Sequence, residues 1–207
     1  MATGLDLTQL LAIAAALGWA SGLRLYAVVF ITGAAGWLGW VPLPPGLQVL
    51  QHPAVLGVSG LLAVVEFAAD KIPLVDSLWD SVHTFIRIPA GAALAAAAVS
   101  GAFGADNAAA GVIAALLGGT LAAGAHAAKA TTRAAANTSP EPFSNIGLSL
   151  LGDVTVPAML WLSWTHPALF FGALAVALLV GLVLVIVLFR FLRAVFARLA
   201  PRRAPAA

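Results

Sequence analysis

Long apolar runs are the feature of this sequence that most limits what it can fold into. Six runs cover most of the chain, in which 62% of residues are hydrophobic and only 9% are charged. A helix that crosses a bilayer needs roughly 20 mostly apolar residues. The sequence therefore predicts an all-α, polytopic membrane helix bundle. The runs are residues 7–40, 53–69, 85–103, 108–128, 146–164 and 168–189.

The first run is too long for a single upright span. As one helix, residues 7–40 would rise about 50 Å, against a hydrocarbon core of about 30 Å. The run forms either one long tilted helix or two short helices folded at residues 21–24, so we predict six or seven spans. Six spans place the N-terminus inside and seven place it outside. No basic stretch precedes the run, and we expect no cleaved signal peptide.

Positive charge is concentrated after the last run, where five of the ten Lys and Arg residues lie. This pattern is typical of a cytoplasmic juxtamembrane tail, and we expect no nucleic-acid partner. Alternation of the last five spans then places Lys71, Lys129 and Arg133 on the cytoplasmic side as well. We predict a multi-pass protein of a bacterial inner membrane, with one transmembrane domain at 1–190 and a basic cytoplasmic tail at 191–207. The five arginines are Arg190, Arg193, Arg198, Arg202 and Arg203.

Parts of the sequence occur twice. A pair of tryptophans followed by His-Pro-Ala appears once in each part of the chain, and two short Ala/Gly-rich stretches are also similar. Many small transporters consist of two such halves. A duplication with halves 5–104 and 107–190 is one explanation, and chance similarity of Ala-rich sequence is the other. The similar stretches are 37–54 with 161–168, and 20–24 with 122–126.

Ionisable residues are crowded into two stretches, 64–87 and 125–145. They recur every three or four positions, so within each stretch they share faces of helices. Charges inside a bilayer are costly and usually face protein or a water-filled cavity. We therefore predict a substrate- or ion-binding site near the cytoplasmic side, formed by Arg24, Glu66, Asp70, Lys71, Asp76, Asp80, His83, Arg87, His126, Lys129, Arg133, Asn137, Glu141, Asn145 and Asp153.

These charges have two interpretations. In the first they only fix helix packing, with Asp80 paired to Arg87 or Arg133, and Glu66 or Asp70 paired to Lys129. In the second they form a water-accessible site, because buried ion pairs alone seldom stabilise a fold. On either interpretation Arg24 needs an acidic partner or water, and Asp153 is a candidate.

The chain also resembles a known family. The stretches EFAADKIPLVDSLWDSVHTFIR (66–87), PAGA (89–92), SGLRLY (21–26) and AHAAKATTRAAANTSPEPFSN (125–145) are similar to a bacterial family of multi-pass membrane proteins known only as a domain of unknown function. The resemblance covers roughly residues 5–190. It implies a membrane protein with these polar positions as its signature, and it implies no activity.

A transporter or channel is the function that the charges favour. Acidic residues would bind a proton, Na⁺ or a divalent cation, and basic residues would bind an anionic or phosphorylated solute or a lipid head group. We predict no catalytic residue and no bound cofactor other than such a cation. The partners would be the bilayer, the transported species and, as an open alternative, further copies of the chain.

Two other functions stay open. A membrane enzyme could chelate Mg²⁺ with Asp76 and Asp80 beside His83, and could hold a lipid phosphate with Lys129 and Arg133. His83 or His126 would then be the general acid or nucleophile, although no complete motif of a known enzyme class is present. The third possibility is a structural scaffold. The remaining histidines, His52 and His166, each precede a proline and are interpreted as helix-start residues rather than metal ligands.

Overall fold

The described part of the chain is helical throughout. The structure is a computed structural model, and it describes residues 4–100, 108–138 and 143–199. Within those ranges no strand occurs. The helices are α1 (Leu7–Trp37), a 3₁₀ helix (Pro45–Gln51), α2 (Pro53–Ala69), α3 (Val75–Val99), α4 (Ala108–Ala136), α5 (Phe143–Thr165) and α6 (Pro167–Leu199).

Five of these helices, α1, α3, α4, α5 and α6, are long and apolar enough to cross a membrane. A sixth span results if the 3₁₀ helix and α2, which meet at 72°, are counted as one broken span. The predicted membrane helix bundle is thus confirmed, and the upper limit is six spans. Seven spans are not reached by this count, which rests on length and composition and takes α1 as a single helix.

Helix α1 is broken at Arg24, whose backbone angles φ −148° and ψ 79° are not helical. Both ends of α1 lie near Trp164, because Gln9 Nε2 donates to the Trp164 carbonyl at 3.3 Å and Trp164 Nε1 donates to the Pro42 carbonyl at 3.3 Å. A straight helix of 31 residues would separate its ends by about 46 Å. The two halves of α1 therefore run in opposite directions, with Arg24 at the turn.

Neighbouring helices confirm this reversal. A side chain at Gly18 would meet Gly118, and one at Gly22 would meet Ala122, so the first half of α1 runs parallel to α4. In the second half, a side chain at Gly33 would meet the Leu50 carbonyl. Thus α1 descends beside α4 to Arg24 and then returns toward the 3₁₀ helix. The predicted alternative of two short helices folded at 21–24 describes this geometry, with the break at Arg24.

The bundle has two chemically different ends. Trp37, Trp40, Trp161 and Trp164 lie at one end, called here the tryptophan end. The turn between α2 and α3 and the beginning of α5 lie at the other, called here the charged end. The first half of α1, α2, α4 and α6 run toward the charged end, whereas the second half of α1, α3 and α5 run away from it.

Glycines allow three helices to pack closely at the centre of the bundle. A Cβ atom at Gly118 would overlap Ala95 Cβ and lie 2.8 Å from the Gly91 carbonyl oxygen. A Cβ at Gly18 would lie 2.7 Å from Gly118 Cα. Small residues at such crossings let helix backbones approach closely within a membrane. This contact of α1, α3 and α4 fixes the elements that carry most of the charged residues.

Several smaller predictions can be compared with the helices. His52 is the N-cap of α2, because its Nδ1 accepts from the Ala54 amide at 3.2 Å, which confirms its role as a helix-start residue. His166 directly precedes α6. Helix α6 continues to Leu199 and so extends beyond residue 190, the predicted boundary of the membrane domain. The rest of the predicted tail, 200–207, lies outside the described residues.

Candidate functional site

The charged residues of five helices meet inside the charged half of the bundle. Ten of them form the ion pairs, and the set balances, with five carboxylates and five cations. The carboxylates are Glu66, Asp70, Asp76, Asp80 and Asp153, and the cations are Arg24, Lys71, Arg87, Lys129 and Arg133. Eight of these ten form one alternating series, in the order Glu66, Arg87, Asp80, Lys129, Asp70, Arg24, Asp153 and Lys71.

Arg87 forms the deepest part of this series. It lies at the middle of α3, about 18 Å along the axis from either end of the helix, and its side chain has no exposed surface. Its Nη2 is 2.7 Å from Glu66 Oε1 and its Nη1 is 2.6 Å from Asp80 Oδ1. Charge-assisted hydrogen bonds of this length are the strong ones. Two carboxylates therefore share one guanidinium that is fully buried inside the bundle.

Lys129 links Arg87 to Arg24. Its Nζ is 3.0 Å from Asp80 Oδ1 and 2.8 Å from Asp70 Oδ2, and it also donates to the Leu23 carbonyl at 3.1 Å. Leu23 directly precedes the break in α1, so its carbonyl is available to a donor outside the helix. The ammonium group thus has three accepting groups, the two carboxylates and the carbonyl, as many as it has protons.

Arg24 is held where α1 reverses. Its Nη2 is 2.8 Å from Asp153 Oδ1, 3.3 Å from Asp70 Oδ2 and 2.9 Å from Ser149 Oγ. The predicted partner Asp153 is therefore found, and Asp70 is a second one. On the far side of Asp153, Lys71 Nζ is 3.0 Å from Oδ2. With 24% of its side chain exposed, Lys71 is the most accessible member of the series.

Arg133 belongs to a smaller group below the series. Its Nη1 donates to the Asp70 carbonyl at 2.7 Å and to the Asn145 carbonyl at 3.0 Å, and it lies 3.5 Å from Asp76 Oδ2. Asn137 Nδ2 donates to Asp76 Oδ1 at 3.0 Å. The group joins the turn after α2 to the ends of α4 and α5. Its contacts are to both backbone carbonyls and side chains.

His83 packs in an aromatic cluster beside the series. Its ring stacks on Trp79 with centroids 4.1 Å apart, and its Nδ1 is 2.7 Å from the Trp79 carbonyl oxygen. A carbonyl can only accept, so Nδ1 carries the proton and Nε2 accepts from the Tyr26 hydroxyl at 3.1 Å. His83 is thus satisfied by uncharged partners.

His126 contacts the series directly. The Thr84 hydroxyl donates to the Asp80 carbonyl at 3.0 Å, so it accepts from His126 Nε2 at 2.7 Å. His126 Nδ1 then accepts from Arg87 Nη1 at 3.3 Å. The imidazole has one donor and one acceptor nitrogen, as in the neutral ring. A second proton on Nδ1 would point at the guanidinium of Arg87.

Some polar atoms at the centre have no hydrogen-bond partner among the described residues. Two of them belong to the carboxylates that pair with Arg87, namely Glu66 Oε2 and Asp80 Oδ2. The others are Arg87 Nε and Asp76 Oδ2. Buried polar atoms in proteins are nearly always paired with protein or ordered water. Glu66 Oε2 and Asp80 Oδ2, called here the spare oxygens, are therefore available to a proton, a cation or water.

Two cavities meet at Arg24. One of about 660 Å³ lies between α4, α5 and α6, and the other, of about 500 Å³, lies between α2, α5 and the second half of α1. Arg24 and Gly152 line both. Helix α5 separates the two cavities. It is attached to α1 by the contacts that Asp153 and Ser149 make with Arg24.

The structure brings together all but one of the predicted site residues. Glu141 lies outside the described residues. Three predicted pairings can be compared: Asp80 with Arg87 and Asp70 with Lys129 are present, whereas Glu66 contacts Arg87 and not Lys129. Arg133 was a possible partner of Asp80, but it is closest to Asp76 among the acids. The helix crossings decide these pairings, because α2 places Glu66 level with the middle of α3.

The sequence prediction missed Ser149, Tyr26 and Trp79, and gave Thr84 no role in the site. Signals for two of them were present: Ser149 precedes Asp153 by one helical turn, and Tyr26 is the only tyrosine of the chain. The described residues contain no group of three His, Cys, Asp or Glu side chains arranged to hold a metal ion. The predicted Mg²⁺ ligands are separated, since Asp76 faces Arg133 and Asp80 faces Arg87 and Lys129.

Residues 11–188 match one family model, described as Domain of unknown function (DUF4126). No curated protein and no solved structure matches the chain.

Proposed function

The chain belongs to the DUF4126 family, and we propose that it is an integral membrane transporter that moves a small ion or an anionic or phosphorylated solute or lipid through the buried ion-pair series. The observation that carries the proposal is the alternating series itself. It extends from the fully buried Glu66 to Lys71 and Asp153, whose side chains are 24% and 19% exposed. An ion or proton entering at this edge would reach mid-membrane depth without leaving charged partners.

A purely structural role explains the series less well. Replacing a buried ion pair by apolar residues of similar volume is often neutral or stabilising, so packing alone does not require the seven charged side chains of this set that are buried. The membrane makes such groups costly. The spare oxygens on Glu66 and Asp80 add to that cost, because they have no hydrogen-bond partner among the described residues. A site that accepts a proton or cation at those oxygens would offset it.

The series also suggests how charge would move. Asp80 is shared by Arg87 and Lys129, and Asp70 is shared by Lys129 and Arg24. A proton or cation on Asp80 would weaken both of its bonds and leave Lys129 with Asp70. An anion at Lys129 could then replace the lost carboxylate. Each step exchanges one partner for another, so no isolated charge is created in the low-dielectric interior.

The order of helix directions supports two repeated halves. The two halves of α1 followed by α2 run toward, away from and toward the charged end, and α4, α5 and α6 do the same. Helix α3 would then be the connection between two three-segment units of the same orientation. The first segments of the two units are in contact through Gly18 and Gly118. Transporters commonly place the substrate between such repeats.

We place the charged end on the cytoplasmic side of a bacterial inner membrane. Lys71 and Arg133 lie at this end, and α6 carries Arg190 and Arg193 toward it. The segment 41–52 at the tryptophan end contains no Lys or Arg. The positive-inside rule assigns the end that is rich in Lys and Arg to the cytoplasm.

Charge movement in reconstituted liposomes tests the transport proposal. Solid-supported membrane recordings would follow concentration jumps of protons, Na⁺, inorganic phosphate and glycerol phosphate for wild type, Asp80→Asn and Lys129→Gln. Asp6→Asn is the matched control, because Asp6 is an exposed N-cap and Asn caps a helix equally well. We expect currents from wild type and the control and none from the other two. The absence of current for every species in wild type, or equal currents in all four proteins, would overturn the proposal.

A further inference from the structure

The larger cavity has the shape of a groove on the outside of the bundle. Its volume of about 660 Å³ lies within the range of small-molecule sites, roughly 300–1,000 Å³. Three of its wall residues, Leu151, Leu178 and Leu182, are exposed and apolar. They belong to α5 and α6, so the groove opens on a surface of membrane-spanning helices, which faces hydrocarbon.

Small residues create the space in this groove. Gly124 lies on its α4 wall, and a side chain there would meet no atom within 4 Å. On the α6 wall, a Cβ at Gly181 would reach Ala128 Cβ at 3.4 Å. The walls hold no charged residue between these glycines and the inner end of the groove. An apolar chain of a ligand would therefore be the matching occupant of the space.

The inner end of the groove is polar, and more cations than carboxylates line it. The charged residues that line it are Arg24, Lys129, Arg133 and Asp70, which are three cations and one carboxylate. Of the carboxylates that pair with these three cations, Asp153, Asp80 and Asp76 do not line the groove. A negatively charged group is thus the complement of this end, as cations at the end of an apolar cleft attract anions.

We propose that the groove binds an anionic phospholipid of the surrounding bilayer, with one hydrocarbon chain along α4 and α6 and its phosphate at Lys129 and Arg24. The inference rests on the proposed function and names its substrate class as an amphiphile with an anionic head. The phosphate would compete with Asp70 for the two cations and thereby couple lipid binding to the ion-pair series. A free anion from water would lack contacts with the apolar walls.

Lipid binding can be measured without transport. Native mass spectrometry of the detergent-purified chain would titrate phosphatidylglycerol, phosphatidylcholine with the same acyl chains, and glycerol phosphate as the head group alone. Gly124→Leu fills the groove, and Gly111→Leu is its matched control, since Gly111 lies on the same helix away from the groove and a Cβ there would also meet no atom of the described residues within 4 Å. Both variants carry the same change in helix propensity.

We expect wild type and Gly111→Leu to bind phosphatidylglycerol about tenfold more tightly than phosphatidylcholine, and Gly124→Leu to lose about tenfold in that affinity. Lys129→Gln should reduce the preference for phosphatidylglycerol over phosphatidylcholine. Equal affinities for the two lipids in wild type, equal losses in both glycine variants, or glycerol phosphate binding as tightly as the lipid would overturn the inference. Liposome currents that persist without lipid binding would overturn it and leave the transport proposal standing. Lipid binding without any current would overturn the transport proposal and leave the lipid site standing.

Discussion

Arg87 and Glu66 form a salt bridge of 2.7 Å in which neither side chain has any exposed surface. The bridge joins the middle of α3 to the last turns of α2 and lies beside a second bond from Arg87 to Asp80. Breaking a buried ion pair by removing one partner is strongly destabilising, because it leaves an uncompensated charge. The pair is thus the most sensitive point at which to separate a packing role from a transport role.

Glu66→Gln should lower the free energy of unfolding by about 3–5 kcal/mol, because Arg87 then keeps only Asp80. The double variant Glu66→Leu with Arg87→Met should recover most of that loss, since it removes both charges and Asp80 still contacts Lys129. Unfolding in detergent by denaturant measures both. If the double variant is stable and also transports like wild type, the pair only supports packing.

The reversal of α1 predicts a short distance between its ends. Leu7 and Leu38 are both about half exposed, and the chain has no cysteine, so each position can carry a single spin label. A straight helix would place the two positions about 46 Å apart. We expect double electron–electron resonance to give less than half of that distance. A distance near 46 Å would contradict the reversal at Arg24.

The glycine contact at the centre predicts different effects from the same substitution on one helix. Gly118→Ala should destabilise the fold by about 1–3 kcal/mol, because the new Cβ would overlap Ala95 Cβ and lie 2.8 Å from a backbone oxygen. Gly111→Ala has open space and should be neutral or stabilising by up to about 1 kcal/mol. Unfolding free energies in detergent test this, and equal effects of both changes would show that the close contact is absent.

Orientation can be tested with single cysteines, because the chain has none of its own. Val49 lies at the tryptophan end and Leu74 at the charged end, and both side chains are more than 60% exposed. A membrane-impermeant maleimide applied to intact cells should label Val49→Cys and leave Leu74→Cys unlabelled until the cells are opened. The reverse pattern would place the charged end outside.

The sequence predicted the elements better than the contacts between them. The run 53–69 coincides with α2, because Pro53 begins the helix and the charges after Ala69 end the apolar stretch. Residues 21–24 were a possible fold point, yet hydropathy could not choose between a tilted helix and a hairpin. The choice depends on Arg24 finding Asp153, Asp70 and Ser149 at the depth where α1 breaks.

The site shows the same division. Charge and helical spacing identified the ionisable members, since few other residues of so apolar a chain can ionise. They did not identify Glu66 as the partner of Arg87. That pairing depends on how far α3 is displaced along its axis relative to α2, which the turn between them decides. Tyr26 and Trp79 contact His83 through uncharged groups, which charge patterns do not reveal.

The central claim, that the ion-pair series binds a transported species, is tested most directly by a thermal-stability screen of the purified protein. The ligands are protons, Na⁺, Mg²⁺, inorganic phosphate and lipid phosphates, and the proteins are wild type, Asp80→Asn and Lys129→Gln. A ligand that binds only the folded state raises its melting temperature. We expect at least one ligand to stabilise wild type and neither of the two folded variants. No shift for any ligand in wild type, together with two variants that are only less stable, would contradict it and leave the series with a purely structural role.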